Sequence, residues 1–548
     1  MARGRKGKEP VDLDFTLRRV FGKQSFRFEA VVIEYLEAKQ SRPVQREVIS
    51  ATIEGHDVFL QAATSFGKSL CFQLPAVIGS GITVVVSPLL ALMTNQIDAA
   101  RDRGIPTETI SSSTTYTERR RIETDLKCGH PYTRLIYVTP ELCATQNFRK
   151  LLTTIHQQGQ LTRIAIDEAH CISEWGHDFR PAYKELRWFK QTLILPSVPV
   201  IALTATATPR VREDIVTSLG LDPRPSSEGG TTKFFSTTTA RPNLHYEVRY
   251  FSESSPHHSS GDDLFPNLLN WLNSISSRRS TRLGYLHQRS PNNSTSTDLT
   301  PISGIIYVAF RSTTESLSAR LTSNNITASA YHAGLDPTTR QTVQETFIHP
   351  HQPTDLQTAQ TVAGSFNIIV ATTAFGMGID APSVRFVVHY GVPRGFEAFV
   401  QESGRAGRDG KAASCVVFYT REERDRVLYR VSLDVNRELN KKGNRNNQGG
   451  GVGKAQAEAR MESLQKVIEY CECTSRCRHE LISEYFAAGA TGTGGLEGET
   501  KCDFACDYCK EGGQKLRKRM ERGLADEEAA FEFSQRERSN GWEGYEDI

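Results

Sequence analysis

The sequence predicts an α/β protein: two doubly wound parallel-sheet domains followed by a small cysteine-rich module. Three observations carry that prediction. Short runs of Val, Ile and Leu alternate with longer polar-periodic stretches, which suits strands buried on both faces with helices between them. The runs fall into two sets, the first being Ile82–Val86, Arg134–Val138, Arg163–Ile166 and Val200–Leu203, and the second Gly304–Val308, Asn367–Ala371 and Val384–His389. Of eleven cysteines, five stand singly (Cys71, Cys128, Cys143, Cys171, Cys415) and the other six lie between Cys471 and Cys509. In a reducing compartment such a cluster reads as metal ligands, and the single ones as small buried apolar residues.

Length and composition agree with this outline. At about 100–200 residues per domain, 548 residues give roughly three to five domains. With 38% hydrophobic and 24% charged residues, the chain can bury sizeable cores. Lys plus Arg is 66 against 63 Asp plus Glu, a formal charge of +3. That balance neither demands nor excludes a polyanionic partner, so local patches decide. The longest apolar stretch, Ile82–Met93, is broken by Ser87 and Pro88, and it falls short of the ~20 residues that cross a bilayer. The opening MARGRKGKEP has basic residues without a following apolar core. The expectation is a protein with no membrane partner that is not secreted.

The first sheet domain is expected to end near 244 and the second to run over 245–436. The second carries polar insertions at about 252–301 and at 349–365, and a linker rich in Asn, Gly and Lys covers 437–453. No repeat of 20–50 residues is visible.

Ala62-Ala63-Thr64-Ser65-Phe66-Gly67-Lys68-Ser69 follows the strand-like run Asp57–Gln61 and opens a helix. A phosphate-binding loop needs small residues so that backbone N–H groups can face phosphate oxygens. The Lys then pairs with the β- and γ-phosphates and the Ser hydroxyl reaches Mg²⁺. Thr64, Gly67, Lys68 and Ser69 are the candidates here, with Ala62 where the first Gly of that pattern usually stands. Further on, Asp167 and Glu168 follow a buried strand. The first suits a Mg²⁺ ligand and the second the activation of a water. Arg405 and Arg408, separated by Ala406 and Gly407, suit stabilisation of transition-state charge. A helix start, an acidic cap or a basic turn would explain each alone; their occurrence in this order favours nucleotide chemistry.

The order of these motifs is similar to a superfamily 2 helicase, and their detail resembles the RecQ family of DNA helicases. The residues that carry the resemblance are DEAHCISEWGHDFRPAY (Asp167–Tyr183), SPLLALM (Ser87–Met93), YVTPE (Tyr137–Glu141) and LTATAT (Leu203–Thr208). ARPNLHYEV (Ala240–Val248), YHAGL (Tyr331–Leu335), VATTAFGMGIDAPSVRFVVHY (Val370–Tyr390) and QESGRAGRDG (Gln401–Gly410) complete them. The likeness spans roughly residues 20–510. It implies two tandem RecA-like domains and a small helical zinc-binding module at 454–512. It also implies ATP-driven 3′ to 5′ movement on single-stranded DNA, unwinding of partly duplex DNA, and work in DNA repair and recombination in the nucleus.

By the same resemblance Lys68 and Ser69 hold phosphate and Mg²⁺, Asp167 holds Mg²⁺ and Glu168 serves the water. Arg405 and Arg408 come from the second domain, Arg408 being the better candidate finger. Gln45 corresponds to the adenine-reading glutamine. Thr204 and Thr206 correspond to coupling residues, and the strip Gly376–Asp380, with Gly378 and Asp380, links nucleotide to DNA. His170, Trp175, His177, Phe179 and Arg180 belong to an aromatic-rich loop that contacts single-stranded DNA. Cys477, which opens CRHELISEYF, joins Cys502, Cys506 and Cys509 as zinc ligands, with Cys471 and Cys473 as alternatives.

The chain departs from the family in three places. Ser65 and Phe66 stand where Gly is usual. Residues 28–42 interrupt the adenine motif of a first domain spanning 21–244. Val308-Ala309-Phe310 replaces small polar residues before Arg311. A basic tail covers 1–20, and a basic then acidic tail covers 513–548, where Lys515–Arg519 forms a basic helix face. An RNA helicase and a nucleotide-gated DNA-binding protein without turnover are the alternatives.

Overall fold

The computed structural model describes residues 43–175, 179–224, 226–252, 264–289, 301–349, 365–376, 381–440, 450–487, 502 and 506–524. The insertion expected at 28–42, His177, Gly378, Asp380 and most of the 349–365 stretch lie outside them. The chain divides into two units at Thr239/Ala240, a few residues before the expected boundary near 244.

Among the described residues the first unit holds a seven-stranded sheet, β1 (Asp57–Gln61), β2 (Ile82–Val86), β3 (Thr107–Ile110), β4 (Leu135–Val138), β5 (Leu161–Ile166), β6 (Val200–Thr204) and β7 (Thr232–Ser236). Its order is β3-β4-β2-β5-β6-β1-β7, and every pairing is parallel. Every residue of β1, β2 and β6 is buried, which is why their apolar stretches Val58–Leu60, Val84–Val86 and Val200–Leu203 stand out, while Asp57 and Gln61 at the ends of β1 are buried polar residues. The pleat sends alternate residues to opposite faces. Ile82, Val84 and Val86 therefore join one core and Val85 the other. Two helices matter below: α1 (Pro43–Ile53) and α2 (Leu70–Ile78), the latter following directly on the loop after β1.

The second unit has six parallel strands, β8 (Leu244–Tyr250), β9 (Ile302–Tyr307), β10 (Ala328–Tyr331), β11 (Phe366–Ala371), β12 (Phe386–Tyr390) and β13 (Ala413–Tyr419). Their order is β10-β11-β9-β12-β13-β8. Gly304 lets β12 close on β9, since a Cβ there would lie 1.9 Å from the Phe386 ring. To this unit belong the helices α3 (Leu264–Arg289), α4 (Phe396–Ser403), α5 (Arg421–Asn440), α6 (Gly450–Glu472), α7 (Arg478–Ala487) as far as Glu484, and α8 (Asp507–Glu511). A seventh, α9, spans Gly513–Gly523.

Three segments differ from the sequence expectation. Part of the insertion expected at 252–301 is core: Phe265, Leu268, Trp271 and Leu272 of α3 are buried, and the Trp271 ring meets Phe386 edge-on at 5.3 Å. Their helical spacing was outweighed by the polar residues that follow. The linker expected at 437–453 is shorter, because α5 runs to Asn440 and α6 begins at Gly450. The start of the expected tail at 513 is the helix α9, whose Leu516 is fully buried.

β8 is an edge strand of its sheet, and edges expose unpaired backbone groups. Here the cysteine-rich segment covers it. Tyr246 forms a parallel bridge with Cys506, the Val248 N–H donates to Asp507 Oδ2 at 3.0 Å, and Arg519 donates to the Val248 carbonyl at 2.9 Å. Beneath this seam Arg478 and Asp507 are both buried and paired through two oxygens, at 2.9 and 3.2 Å. No helix among the described residues is long and apolar enough to cross a membrane.

Candidate nucleotide and zinc sites

In open parallel sheets, ligands bind beyond the carboxyl ends of the strands. In the first unit β5, β6 and β1 lie side by side, so the loops after them are neighbours. Those loops carry Asp167–His170, Thr204–Thr206 and Ala62–Ser69. Ser65 and Gly67 take the left-handed conformation, with φ of 67° and 86°. That suits Gly67 and strains Ser65, where a side chain meets its own backbone. Lys68 Nζ donates to the carbonyls of Ala62 and Ala63 at 3.0 and 3.4 Å, which folds the lysine back over the loop. Ser69 stands at the N-cap position of α2 without a capping hydrogen bond from its side chain, so the loop ends at a helix N-terminus, where the dipole favours anions. Gln45 of α1 is buried and donates to the carbonyls of Phe66 and Gly67 at 3.2 and 3.0 Å. The loop and the candidate adenine reader are thus in direct contact.

Asp167 is buried. Its Oδ2 accepts from Gln96 Nε2 at 2.9 Å, its Oδ1 from the Glu168 N–H at 3.0 Å, and its carbonyl from the Tyr183 hydroxyl at 3.0 Å. Burial, followed by the charge of Glu168 beside it, pushes the Asp167 carboxyl up to about 6. A buried carboxylate crowded by a second negative charge is a donor that a hard divalent cation suits, and the Ser69 hydroxyl is of the same oxygen type. Glu168 is also left-handed, with φ 49°, a strained setting of the kind that clusters at functional sites.

Beside this carboxylate pair, polar contacts lead through His170 to Thr204 and Thr206. His170 Nδ1 lies 3.3 Å from Glu168 Oε2 and 3.0 Å from Thr204 Oγ1. Thr204 Oγ1 in turn accepts from the Thr206 N–H at 3.2 Å. Glu168, His170, Thr204 and Thr206 therefore form one connected set.

The described residues of the segment that follows are only partly exposed. Trp175 is half-buried and packs on the core of the first unit, with the Arg210 guanidinium over its ring. Its N–H donates to Ser173 Oγ at 3.2 Å, and Ser173 donates to Asp214 at 2.7 Å. Phe179 and Arg180 are half-buried too. Lys184 sits over the Phe179 ring at 5.4 Å, and the Arg180 N–H donates to the Cys171 carbonyl at 2.9 Å.

In the second unit Arg405 and Arg408 flank a tight turn after α4. Arg405 is buried and donates to the Gly376 carbonyl at 2.5 Å. That ties it to the first residue of the strip expected to link nucleotide and DNA. Arg408 is half-buried.

The sulfurs of Cys477, Cys502, Cys506 and Cys509 all lie within 4.8 Å of one another, and those of Cys477 and Cys506 are 3.8 Å apart. Four thiolates around zinc at about 2.3 Å require sulfur separations of about 3.8 Å, so the set fits the ion. The alternatives are placed elsewhere: Cys471 is buried and its carbonyl accepts from the Tyr250 hydroxyl at 2.7 Å, while Cys473 Sγ lies 3.7 Å from Ser475 Oγ. Sequence reasoning missed Gln96, Arg478 and Asp507. Gln96 sits three residues past the SPLLALM segment, and the other two stand next to the ligands Cys477 and Cys506, in each case a neighbour of a motif already singled out.

Comparison with known proteins agrees with this geometry. The DEAD/DEAH box helicase model matches residues 42–215, the helicase conserved C-terminal domain 299–410 and the RecQ zinc-binding domain 437–510. ATP-dependent DNA helicase Q5 of Mus musculus is 35% identical over 496 residues, 90% of this chain and 43% of the relative. RecQ-like DNA helicase blm-1 of Caenorhabditis elegans is 34% identical, over 87% of this chain and 41% of the relative. ATP-dependent DNA helicase hus2/rqh1 of Schizosaccharomyces pombe is also 34% identical, over 88% and 31%. The chain thus spans less than half the length of these relatives. With two parallel α/β sheets, the strand-end motifs in order and a zinc-binding segment closing the second sheet, the chain belongs to the RecQ family of helicases.

Proposed function

We propose that the chain is an ATP-dependent DNA helicase that moves 3′ to 5′ along single-stranded DNA and opens duplex DNA, in nuclear DNA repair and recombination. The connected set Glu168–His170–Thr204–Thr206 carries this reading. It joins the residue that activates water to residues beside the strand-contacting loop, as a machine coupling hydrolysis to movement requires. In this reading Lys68 and the N-terminus of α2 bind the β- and γ-phosphates, and Gln45 reads the adenine edge. Ser69 and Asp167 would hold Mg²⁺, which neutralises phosphate charge as it develops. Glu168 orients the attacking water and accepts its proton, while Arg405 and Arg408 stabilise the transition state. Trp175, His177, Phe179 and Arg180 contact the strand, by stacking and by charge. Gly378 and Asp380 belong to the linking strip.

A second reading, nucleotide binding without turnover, is favoured by one observation, the strained Ser65 in the phosphate loop. Hydrolysis measured with no nucleic acid, with single-stranded DNA and with RNA separates the possibilities. The helicase reading expects DNA to stimulate hydrolysis and a 3′-tailed duplex to be unwound. Stimulation by RNA alone points to an RNA helicase, and binding with no hydrolysis above a Lys68→Ala background points to the gated binder.

A further inference from the structure

We propose that Arg241 is a positioning residue for Arg405 and Arg408, clamping the turn that carries them, and that His479 fixes the clamp to the cysteine-bearing module. The proposal rests on the ATP-hydrolysing reading above.

Arg241 lies three residues before β8 and is buried. Its guanidinium donates to the carbonyls of Gly404 and Ala406 at 2.9 and 2.8 Å, and to that of Gly407. One side chain thus holds three carbonyls, that of Gly404 just before Arg405 and those of Ala406 and Gly407 between the two arginines. Asn243 extends the grip, donating from Nδ2 to Gly407 and Lys411 at 2.9 and 2.8 Å. Gly407 itself is left-handed, with φ 55°, and a Cβ there would lie 2.7 Å from both Asn243 Nδ2 and the Lys411 carbonyl. The turn is therefore packed against its clamp so closely that only glycine fits. The peptide planes that follow Gly404, Ala406 and Gly407 cannot rotate without breaking a charge-assisted bond.

The clamp is anchored from behind. His479 of α7, two residues past Cys477, is buried and lies 3.2 Å through Nε2 from the Arg241 carbonyl. Its ring meets Tyr246 edge-on at 4.9 Å, and Tyr246 is the residue bridged to Cys506. Arg241 is thereby fixed at its backbone by the module and at its side chain by the arginine turn. Such a fork cannot be replaced by lysine, whose single ammonium cannot span three carbonyls.

Arg241→Lys is the test, with DNA-stimulated hydrolysis, ATP KM and thermal midpoint measured together. The expected result is a loss in kcat of about 10–100-fold, the scale of a catalytic group displaced by about 1 Å, with KM and midpoint near wild type. In an Arg408→Ala background the same substitution should lower kcat by clearly less than in wild type, because the part of the loss that passes through Arg408 is already gone. His479→Leu should show part of the same loss, and His479→Gln, which keeps a donor, should restore it. If Arg241→Lys fails to fold, Asn243→Ala takes its place, with an expected kcat loss of about 3–10-fold from a looser turn. Wild-type kcat in the folded variant, or an undiminished loss in the Arg408→Ala background, overturns the proposal. Wild-type protein that binds DNA yet hydrolyses no ATP above Lys68→Ala instead overturns the ATPase reading, and the role assigned to Arg241 falls with it.

Discussion

Replacing Asp507 with asparagine removes one charge from a pair sealed beneath the β8 seam. Arg478 is 0% exposed and Asp507 1%. Burial alone would raise the Asp507 carboxyl, but Arg478, the Val248 N–H and Arg519 outweigh it and hold the carboxyl below its ordinary value. Asparagine keeps one acceptor oxygen, leaves the Arg478 guanidinium without its counter-charge, and turns an N–H₂ toward two other donors. Stranding one member of a buried pair costs about 3–5 kcal/mol. Replacing both, as Arg478→Met with Asp507→Leu, should recover most of that. The Val248 N–H would still lack its acceptor, leaving about 1–3 kcal/mol lost. Hydrogen exchange of the β8 amides reads this locally. At 1.4 kcal/mol per tenfold, about 3 kcal/mol means amides exchanging roughly 100-fold faster in Asp507→Asn, with the double variant in between. A single variant whose β8 amides shift by less than the ~0.5 kcal/mol of a neutral surface change would refute the view that this pair holds the seam.

Other outcomes follow from the sites. Lys68→Ala should abolish ATP hydrolysis, and Arg408→Ala should lower kcat by roughly 10³-fold or more in steady-state assays, the scale of an arginine finger. Cys506→Ser should lose zinc by elemental analysis and destabilise the C-terminal segment, whereas Cys473→Ser should keep the metal. Because burial and the charge of Glu168 raise the Asp167 carboxyl from 3.8 to about 6, this group binds more protons in the folded, nucleotide-free protein than in the unfolded chain between those values. Its own contribution to stability should therefore fall as pH rises from about 4 to 6, opposite in sign to that of carboxyls such as Asp507 that folding holds down. Asp167→Asn should raise the thermal midpoint at pH 7 and flatten that dependence. Trp175→Ala should remove most of the DNA stimulation of hydrolysis and, because its ring packs on the core, lower the thermal midpoint as well; normal stimulation would leave Trp175 with packing alone.

What could be read from the residues was what is local. β1 and β2 were legible because strands buried on both faces are apolar at their centres, Val58–Leu60 and Val84–Val86. β3, β7, β8 and β10 lie at sheet edges and alternate or mix polar residues, as LHYEVRY does in β8, so no apolar run marks them. The candidate phosphate loop and the Asp167-Glu168 pair could be singled out for the same reason, since each is a short segment of consecutive residues. By contrast, the bonds from Arg241 to Gly407 and from Val248 to Asp507 join residues far apart in the chain. Nothing in RPNL or CDYC announces its partner, because the partner is chosen by sheet order. The polar half of 274–300 concealed the core helix α3 by composition.

The seam on β8 also sets a timetable for synthesis. The Val248 N–H and its acceptor Asp507 are separated by 259 residues. A ribosome adding about 5–20 residues per second leaves that edge uncovered for about 10–50 s. During that interval the nascent second sheet presents a bare strand, the kind of surface that recruits chaperones or pairs with another copy. A message broken between the codons for Tyr419 and Cys502 would release a product whose strands are all present but whose edge never closes. Such a fragment should be recovered as aggregate, with the first unit beside it still soluble after proteolytic release.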